Sequence, residues 1–327
     1  MSKPNLLYAI NGTGLGHISR AKVLIPQLKK KANIDILISG TRTDLVFKEF
    51  IKYTFQGFTF VYKKGGINWP RTLKNIKIIQ FIKDVYSLNL NKYDLIISDF
   101  EPISAWASIL RKKRCINVSH QAAFYSLKTP RPKFWPFYLP EEFFMKNFAR
   151  TKDHIGIHFK KYDKNIMPPL IKDEIIKAKT KCLPHITIYL SAISLRKQII
   201  FFQLFPNYNF EIFHSESTKK KTLNNLKLSP LCEDFKLSLI NSSGYISQAG
   251  FESNSEALYL QKPIICIPIR HQYEQKCNAE ALKKLGVTVL TKLKFKPIKK
   301  WLETKKKSPK ITITNTKTLV DKIIDKL

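Results

Sequence analysis

Short apolar runs alternate with amphipathic segments along the first half of the chain. Asn5 to Ile10 is typical of a strand, Ser19 to Lys30 of a helix, and Ile34 to Ser39 of a second strand. Further strands are predicted at Phe58 to Tyr62, Asp94 to Ser98 and Cys115 to Ser119, and a helix at about Leu73 to Leu88, where apolar residues recur at helical spacing. Strands separated by helices predict a parallel, doubly wound sheet.

The second half repeats this alternation. The pattern predicts strands at Ile186 to Leu190, Asn209 to Phe213, Leu239 to Ile246 and Ile264 to Ile267, and helices at Phe251 to Leu260 and Lys317 to Leu327. Two prolines between Met167 and Asp173 block regular structure and predict a linker. We therefore predict an α/β protein of two Rossmann-like domains, residues 1–168 and 169–327, that face a cleft. The closing helix is placed to pack back on the first domain.

Composition narrows the class of protein. The 327 residues suit about two domains, and a hydrophobic share of 44% with 12% aromatic residues is ordinary for a globular chain. Five cysteines without paired spacing argue against a disulfide framework and against a zinc site. No apolar run approaches the length of a membrane span, and the first residues lack the layout of a secretory signal. We therefore expect a cytoplasmic location.

The net charge is unusual. Fifty-seven basic residues against 24 acidic ones give +33, a field that attracts polyanions such as nucleic acid, anionic lipid or acidic substrates. The excess is mostly lysine spread along the chain, without a known nucleic-acid-binding motif, which disfavours nucleic acid as a partner. Part of it can reflect a compositional bias towards lysine. We expect an acidic acceptor or an anionic membrane surface, at the inner face of the membrane.

Aromatic and basic residues are interleaved between residues 124 and 150. The aromatic members are Phe124, Tyr125, Phe134, Trp135, Phe137, Tyr138, Phe143, Phe144 and Phe148, and the basic ones are Lys128, Arg131, Lys133, Lys146 and Arg150. Rings beside cations suit a membrane interface. Packing between domains and stacking on single-stranded nucleic acid are the alternatives.

A helix start in the second half has the features of an anion site. The strand that ends at Ile246 leads through Gln248 to Gly250, after which a helix is predicted, and its free N–H groups would attract a diphosphate. Ser253 offers a hydroxyl donor, and Glu256 offers two oxygens to neighbouring hydroxyls such as those of a ribose. Ser253 to Glu256 also matches a capping box, which would serve only the helix end.

The segment that follows supplies a second polar region. Residues 263–268 are typical of a short buried strand between two prolines, and a polar loop from Arg270 to Gln275 follows at its carboxyl end. In open α/β sheets, ligands bind at that end of the strands.

A glycine-rich loop separates the first strand from the first helix. Gly12, Gly14 and Gly16 would let a ligand approach the backbone closely. A P-loop would need a lysine where His17 stands. A dinucleotide fingerprint would need glycine at that position and an acid at the end of the second strand, where Ser39 and Gly40 occur. The loop therefore favours neither ATP nor NAD.

Both regions resemble the same enzyme family. The positions Gly250, Glu256, Pro263, Pro268, Gln275, Asn278, Ala279 and Gly286 resemble the donor-binding signature of GT-B glycosyltransferases, of both the bacterial peptidoglycan N-acetylglucosaminyltransferase type and the UDP-glycosyltransferases. The loop from Gly12 to His17 resembles the Gly-x-Gly-Gly-His element that begins their acceptor domain. The resemblance implies that Gly250 and Ser253 bind the phosphates, Glu256 the ribose, and Glu274 with Gln275 the sugar hydroxyls. Gln248 departs from the pattern, since one branch has a phosphate-contacting histidine there.

The resemblance also implies the catalytic residues. His17 would be the general base on the acceptor hydroxyl, a task that suits an imidazole at neutral pH, although it can also simply pack at the helix start. Asp99 resembles the aspartate that orients this histidine, or it caps the helix that begins near Pro102. His120, followed by Gln121, resembles an acceptor-side His-Glu-Gln-Asn element, or it is a polar strand terminus.

These residues lead to one functional hypothesis and two alternatives. We expect an inverting glycosyltransferase that moves a sugar from a nucleotide-sugar donor, a UDP-hexose or UDP-N-acetylhexosamine, to a hydroxyl acceptor that is lipid-linked or part of a cell-envelope glycan. Neither a cofactor nor a metal is expected, because the chain has no evident Asp-x-Asp motif. The alternatives are a sugar-nucleotide epimerase of the same fold and a non-catalytic protein that binds anionic lipid or RNA.

Overall fold

The computed structural model of the protein describes residues 2–40, 51–57, 62–63, 66–67, 77–231 and 234–327. The strands of the first half are β1 (Asn5–Asn11), β2 (Asn33–Ser39), β3 (Ile51–Phe55), β4 (Tyr62–Lys63), β5 (Gly66–Ile67), β6 (Leu95–Asp99), β7 (Cys115–Ser119), β8 (Asp153–Ile157) and β9 (Ile166–Met167). Its helices are α1 (Leu15–Leu28), α2 (Ile78–Ser87), α3 (Pro102–Leu110) and α4 (Leu139–Phe148), with short 3-10 helices at Gln121–Tyr125 and Trp135–Tyr138.

Seven of these strands form a parallel sheet in the order β3-β2-β1-β6-β7-β8-β9. The residues of β1 from Leu6 to Ile10 are buried, as is typical of a parallel strand whose two faces are covered by helices. The chain builds outwards from β1 to β3 and then returns to the other side of β1. The loops that follow β1 and β6 therefore diverge and open a crevice at the carboxyl ends of the strands.

The second half repeats this plan. Its strands are β10 (His185–Tyr189), β11 (Asn209–Phe213), β12 (Lys221–Leu223), β13 (Leu226–Ser229), β14 (Gly244–Ser247), β15 (Ile264–Cys266) and β16 (Thr288–Val289). Its helices are α5 (Asp173–Ile176), α6 (Leu195–Phe202), α7 (Asp234–Asn241), α8 (Phe251–Tyr259), α9 (Tyr273–Lys284), α10 (Phe295–Thr304) and α11 (Thr316–Ile324). The sheet order is β12-β13-β11-β10-β14-β15-β16, and only the β12–β13 pair among these is antiparallel. The crevice of this sheet lies after β10 and β14.

The two sheets confirm the predicted α/β class, but the start of one predicted strand was wrong. The run from Leu239 to Ile246 crosses the end of α7, and β14 begins only at Gly244. Leu239 and Ile240 are buried on the inner face of α7, so one apolar run in the sequence serves two elements. The first residue of the strand, Gly244, lies against the Trp301 ring of α10, and a Cβ atom there would come within 2.7 Å of it.

Other boundaries differ less. The polar segment after β15 is a loop only as far as Gln272, because α9 begins at Tyr273 and holds Glu274 and Gln275 in its first turn. Residues 58–61 of a predicted strand and 73–76 of a predicted helix lie outside the described residues, as does Cys232. Cys115, Cys182, Cys266 and Cys277 are free.

The two halves are joined by the segment 168–172, which has neither helix nor strand, and by the last helix. Leu319, Val320 and Ile323 of α11 are buried in one apolar cluster with Leu24 and Ile25 of α1. An ion pair between Lys31 and Asp321 adds to this contact. The last helix of the chain therefore packs on the first helix. No helix in the described part of the chain is long and apolar enough to cross a bilayer.

Candidate active site

The crevices of the two sheets meet where the glycine-rich loop touches α8. A Cβ atom placed on Gly16 would lie 3.2 Å from Cγ of Glu252, in the first turn of α8. The loop after the first strand of one sheet therefore lies directly against the start of the helix after β14 of the other.

The glycine-rich loop is held by its own polar residues. Oδ1 of Asn11 accepts hydrogen bonds from the backbone and the hydroxyl of Thr13, and its Nδ2 donates to the carbonyl of Phe100 at 3.1 Å. Gly40, with φ of +123°, leaves room for this loop, because a Cβ atom there would lie 2.9 Å from the carbonyl carbon of Gly12. At Gly14, the N-cap of α1, a Cβ atom would meet open space, and no side chain caps the helix.

His17, in the first turn of α1, points at Asp99. Its Nδ1 lies 2.7 Å from Oδ1 of Asp99, which ends β6. The helix that follows is capped by Glu101, whose carboxylate accepts from the backbone N–H groups of Ile103 and Ser104. Asp99 is therefore not the cap of α3, and its carboxylate is directed to the histidine. Because a carboxylate only accepts, Nδ1 of His17 carries the proton and Nε2 presents a lone pair.

The sequence did not draw attention to Arg20, which binds both oxygens of Asp99. Its Nε donates to Oδ2 at 2.9 Å and its Nη2 to Oδ1 at 2.8 Å, while its Nη1 donates to Oε1 of Glu252 at 2.8 Å. Burial opposes ionisation of Asp99, but Arg20 and His17 outweigh it and hold the pKa of the carboxyl below its usual value. The only signal in the sequence was an arginine one turn after the histidine, on the same helix face.

The start of α8 is open. Gly250 is its N-cap, no side chain caps it, and a Cβ atom on Gly250 would meet no atom within 4 Å. Since the helix begins at Phe251, Ser253 lies inside its first turn and does not form a capping box with Glu256. The free N–H groups of this turn keep their capacity to bind an anion.

Asn254, which the sequence did not single out, shapes the turn before α8. Its Nδ2 donates to the carbonyls of Gln248 and Gly250, both at 2.7 Å, and its Oδ1 accepts from the hydroxyl of Ser247 at 2.8 Å. Oε1 of Gln248 accepts from the hydroxyl of Ser191 at 2.8 Å, which links the loops after β10 and β14.

Gln275 braces the same turn from α9. Its buried Oε1 accepts from the backbone N–H of Ala249 at 3.1 Å and from that of Ile269 at 2.9 Å. The residue expected to bind sugar hydroxyls thus also fixes two loops of the second domain.

His120 and Glu274 lie at the junction of the two halves. The His120 ring stacks on Phe251 with centroids 4.1 Å apart, and its Nδ1 donates to the carbonyl of Ile157 at 2.8 Å. Burial lowers the pKa of His120. Oε2 of Glu274 accepts from Nε2 of Gln121 at 3.0 Å. These contacts connect the end of β7 to helices α8 and α9 of the second half.

Glu256 stands apart from the His17 cluster. It lies one turn further along α8, nearly buried, and its Oε1 lies 3.1 Å from Nζ of Lys172 in the segment that joins the two halves. The structure therefore brings together Gly16, His17, Asp99 and the start of α8, and it sets Glu256 against the connecting segment. Within the described residues, no three His, Cys, Asp or Glu side chains are grouped so that they could hold a metal ion.

The site combines an imidazole held by a carboxylate with an uncapped helix start across the cleft. Such a histidine can remove a proton from a hydroxyl, and such a helix start can bind a phosphate group.

Known proteins share both the sequence family and the fold. The family model described as "Glycosyl transferase family 1" matches residues 4–305. The solved structure of the glycotransferase of kitacinnamycin has a TM-score of 0.64 at 9% identity, and the alignment covers 100% of both chains. MurG of Acinetobacter baumannii has a TM-score of 0.56 at 14% identity over 99% of this chain and 94% of its own. LpCGTa in complex with UDP has a TM-score of 0.57 at 11% identity over 99% and 90%.

None of the curated proteins matches the chain in sequence. The matched family model covers nearly the whole chain, and the similarity in fold to these structures extends over 99–100% of it. The chain therefore belongs to glycosyl transferase family 1 and is a glycosyltransferase with the GT-B fold.

Proposed function

We propose that this glycosyltransferase moves a hexose or N-acetylhexosamine from a UDP-sugar to a hydroxyl acceptor, with inversion at the anomeric carbon and without a metal ion. The observation that carries the proposal is the His17–Asp99 hydrogen bond, at 2.7 Å, beside the uncapped start of α8. The acceptor lies on the His17 side and the donor on the α8 side.

The reaction follows from these positions. Nε2 of His17 takes the proton of the acceptor hydroxyl while the oxygen attacks the anomeric carbon, and Asp99 stabilises the imidazolium that forms. The bond from the anomeric carbon to the diphosphate breaks on the opposite face, so the configuration inverts. The electron pair leaves with the UDP, and the N–H groups at the start of α8 stabilise its charge.

The remaining donor contacts extend this proposal. Glu256 binds the ribose hydroxyls through Oε2, since its Oε1 is engaged with Lys172. The other groups are assigned as follows: Gly250, Ser253 and Gln248 to the phosphates, Glu274 and Gln275 to the sugar hydroxyls, and Gly12, Gly14, Gly16 and His120 to the acceptor side. The donor itself carries the activated bond, so the reaction needs no cofactor. A donor of this kind fits the neighbour LpCGTa, whose structure contains UDP.

UDP and its sugars are expected to stabilise the protein against thermal unfolding. A ligand that binds only the folded state raises the free energy of unfolding, by about 2.7 kcal/mol when its concentration is 100 times its Kd, and so raises the midpoint of thermal unfolding. The measurement is a panel of UDP-, GDP- and dTDP-sugars. UDP release from the most stabilising sugar, with water as acceptor, then gives a rate. Absence of any shift with UDP contradicts the proposal.

The epimerase alternative is separated by product. Incubation with UDP-N-acetylglucosamine alone, followed by NMR, would show an isomer if the protein were an epimerase and UDP with free sugar if it transfers to water.

An exposed apolar surface supports a lipid-linked acceptor and attachment to the inner face of the membrane. This apolar face is formed by Ile78, Ile79, Ile82 and Tyr86 of α2, Trp106, Ile109 and Leu110 of α3, and Leu139 and Phe143 of α4. The three helices adjoin, because Arg111 donates to the carbonyls of α2 and Trp106 donates to the carbonyl of Phe148. Ile79 is 73% exposed and Phe143 is 71% exposed. Exposed lysines lie on or beside these helices in the sequence: Lys83 in α2, Lys112 just after α3 and Lys133 before α4.

The segment 124–150 is divided between this surface and the interior. Phe124 and Phe148 are buried, and Tyr138 stacks on Tyr273 of α9 with centroids 5.6 Å apart, so part of the segment packs between the halves. Phe134, Phe137 and Phe143 are exposed, with Nζ of Lys133 5.8 Å from the Phe134 ring. The side chain of Trp135 lies outside the described part. Exposed rings beside lysines match the headgroup region of an anionic bilayer.

The double substitution Ile78→Glu with Ile79→Glu is expected to lower binding to phosphatidylglycerol vesicles at least about tenfold, because each buried isoleucine contributes about 1.5–3 kcal/mol. The measurement is sedimentation with vesicles, alongside neutral phosphatidylcholine vesicles, which should bind weakly. Ile200→Glu, at a residue 57% exposed on α6 of the other half, is the matched control and should change nothing. Equal binding of the double variant and the control would refute this surface as the attachment site.

A further inference from the structure

Arg20 lies buried between two carboxylates from different halves of the molecule. Asp99 ends a strand of the first sheet, and Glu252 belongs to the first turn of α8 in the second. The guanidinium also lies 3.2 Å from Nδ1 of His17. A chain of contacts therefore runs from the start of the donor helix through one arginine to the histidine and its aspartate.

The contact is also steric. A Cβ atom on Gly16, the residue before His17, would lie 3.2 Å from Cγ of Glu252. The backbone that carries the histidine therefore rests on the aliphatic part of the Glu252 side chain, while the carboxylate holds the arginine. The position of the His17 backbone and the charge near its imidazole therefore both depend on Glu252 in the first turn of α8.

The negative charge of Glu252 affects how well Asp99 can support a positive charge on His17. Arg20 alone would neutralise Asp99 and weaken its support for an imidazolium on His17, because one positive charge would offset the one negative charge. With Glu252 on the far side of the guanidinium, the four groups His17, Arg20, Asp99 and Glu252 keep a net negative charge while His17 is neutral. That excess stabilises the positive charge that forms on His17 when it takes the proton of the acceptor hydroxyl.

We propose that Glu252 is a positioning residue for the general base: through Arg20 it couples the start of the donor helix to the His17–Asp99 pair. This inference rests on the proposed roles of His17 and of α8. Glu252 touches neither the acceptor nor the sugar in this scheme. It acts through Arg20 and Gly16, and it makes the orientation of His17 depend on the position of the donor domain.

The same carboxylate opposes donor binding, since a diphosphate at the start of α8 places like charge beside it. Burial, together with the nearby carboxylates of Glu256 and Asp99, raises the pKa of Glu252 to about 7 against the opposing effect of Arg20 and Lys172. Within the described residues, the other ionisable side chains that contact this cluster or are coupled to it include His17, Tyr8 and His120, the last through Arg20. Glu252 therefore orients the base at the cost of some donor affinity.

The test is a split between binding and rate. Glu252→Ala should bind UDP about three- to tenfold more tightly by calorimetry at pH 8.5, yet release UDP from the sugar at least about tenfold more slowly. Glu252→Gln should also bind UDP more tightly but recover part of the rate, because its amide oxygen still accepts from Arg20. Glu303→Ala, which removes an exposed carboxylate from α10, is the matched control and should alter neither quantity.

The affinity difference has a defined pH dependence. Above pH 7 the carboxylate of Glu252 is ionised in the wild type, so Glu252→Gln should bind UDP more tightly than the wild type by the full factor. Below pH 7 Glu252 is protonated in the wild type, and the difference in UDP affinity should shrink. The ratio of the two affinities at each pH cancels the titration of UDP itself. A ratio that is constant from pH 8.5 to pH 6 contradicts the charge argument.

A readout that needs no ligand separates this inference from the proposed function. The Nδ1 proton of His17, held 2.7 Å from Asp99, should give a downfield proton NMR resonance that broadens in Glu252→Ala and persists in Glu252→Gln and Glu303→Ala. If the wild type binds no UDP but the resonance behaves in this way, the coupling stands and the proposed function fails. If the resonance and the UDP release rate are the same in Glu252→Ala as in the wild type, the coupling is overturned.

Discussion

The His17→Ala variant is expected to release UDP from the donor about 10²- to 10⁴-fold more slowly than the wild type, the range that a positioned general base contributes. The loss should appear in kcat, while UDP binding by calorimetry stays within about threefold, because the imidazole acts on the acceptor and not on the nucleotide. Thermal unfolding should change little, since the side chain is partly exposed and the carboxylate of Asp99 keeps both contacts with Arg20. An unchanged rate removes His17 from the mechanism.

Asp99→Ala is the instructive companion to this variant. It also removes the support of the base, but it leaves the buried guanidinium of Arg20 with Glu252 as its remaining carboxylate partner. Breaking a buried pair in this way costs about 3–5 kcal/mol, so this variant should lose stability as well as activity. A large fall in the melting temperature for Asp99→Ala and a small one for His17→Ala would separate the structural part of the cluster from the catalytic part.

The parts of the fold that the sequence predicted well are those where periodicity and burial agree. Cys115–Ser119 and Asn209–Phe213 are strands with the predicted bounds, because an apolar run in a parallel sheet is one complete strand. The predicted start of the strand at Leu239 was wrong because a helix ends at Asn241 and the strand begins at Gly244, with only Ser242 and Ser243 between them. The apolar residues on both sides of this short break are buried, so the sequence shows one continuous run. Local pattern cannot divide such a run.

The candidate site divides in the same way. His17 and Gly250 were predicted as site residues because each follows a strand in a glycine-containing loop, a local feature of the sequence. Arg20 and Glu252 were missed because their contacts join distant parts of the chain. Arg20 bonds to Asp99, 79 positions away, and to Glu252, 232 positions away. Asn254 was missed because an asparagine inside a helix shows its bonding to the preceding turn only in three dimensions. Sequence thus locates the backbone of such a site more readily than the side chains that hold it.

The Gly250→Asp variant is expected to lose at least about 100-fold in UDP affinity while the fold stays as stable as the wild type. Aspartate is a preferred N-cap residue, the φ of −68° at Gly250 suits any residue, and a Cβ atom there would meet open space. The substitution should therefore not destabilise the folded protein. A carboxylate at the N-cap would occupy the free N–H groups of α8 and repel the diphosphate, an interaction of about 4 kcal/mol at 4 Å and an effective dielectric constant of 20.

The matched control is Gly250→Asn, which has nearly the same size and also caps a helix but carries no charge. It should bind UDP more weakly than the wild type, because its side chain competes for the same N–H groups, and more tightly than Gly250→Asp. The measurement is calorimetry with UDP beside thermal unfolding of the three proteins. If Gly250→Asp binds UDP as the wild type does, the diphosphate does not sit at this helix start, whatever else the cleft binds. At this turn a change that favours the helix would disable the enzyme, and that opposition between stability and binding distinguishes a ligand site from a structural cap.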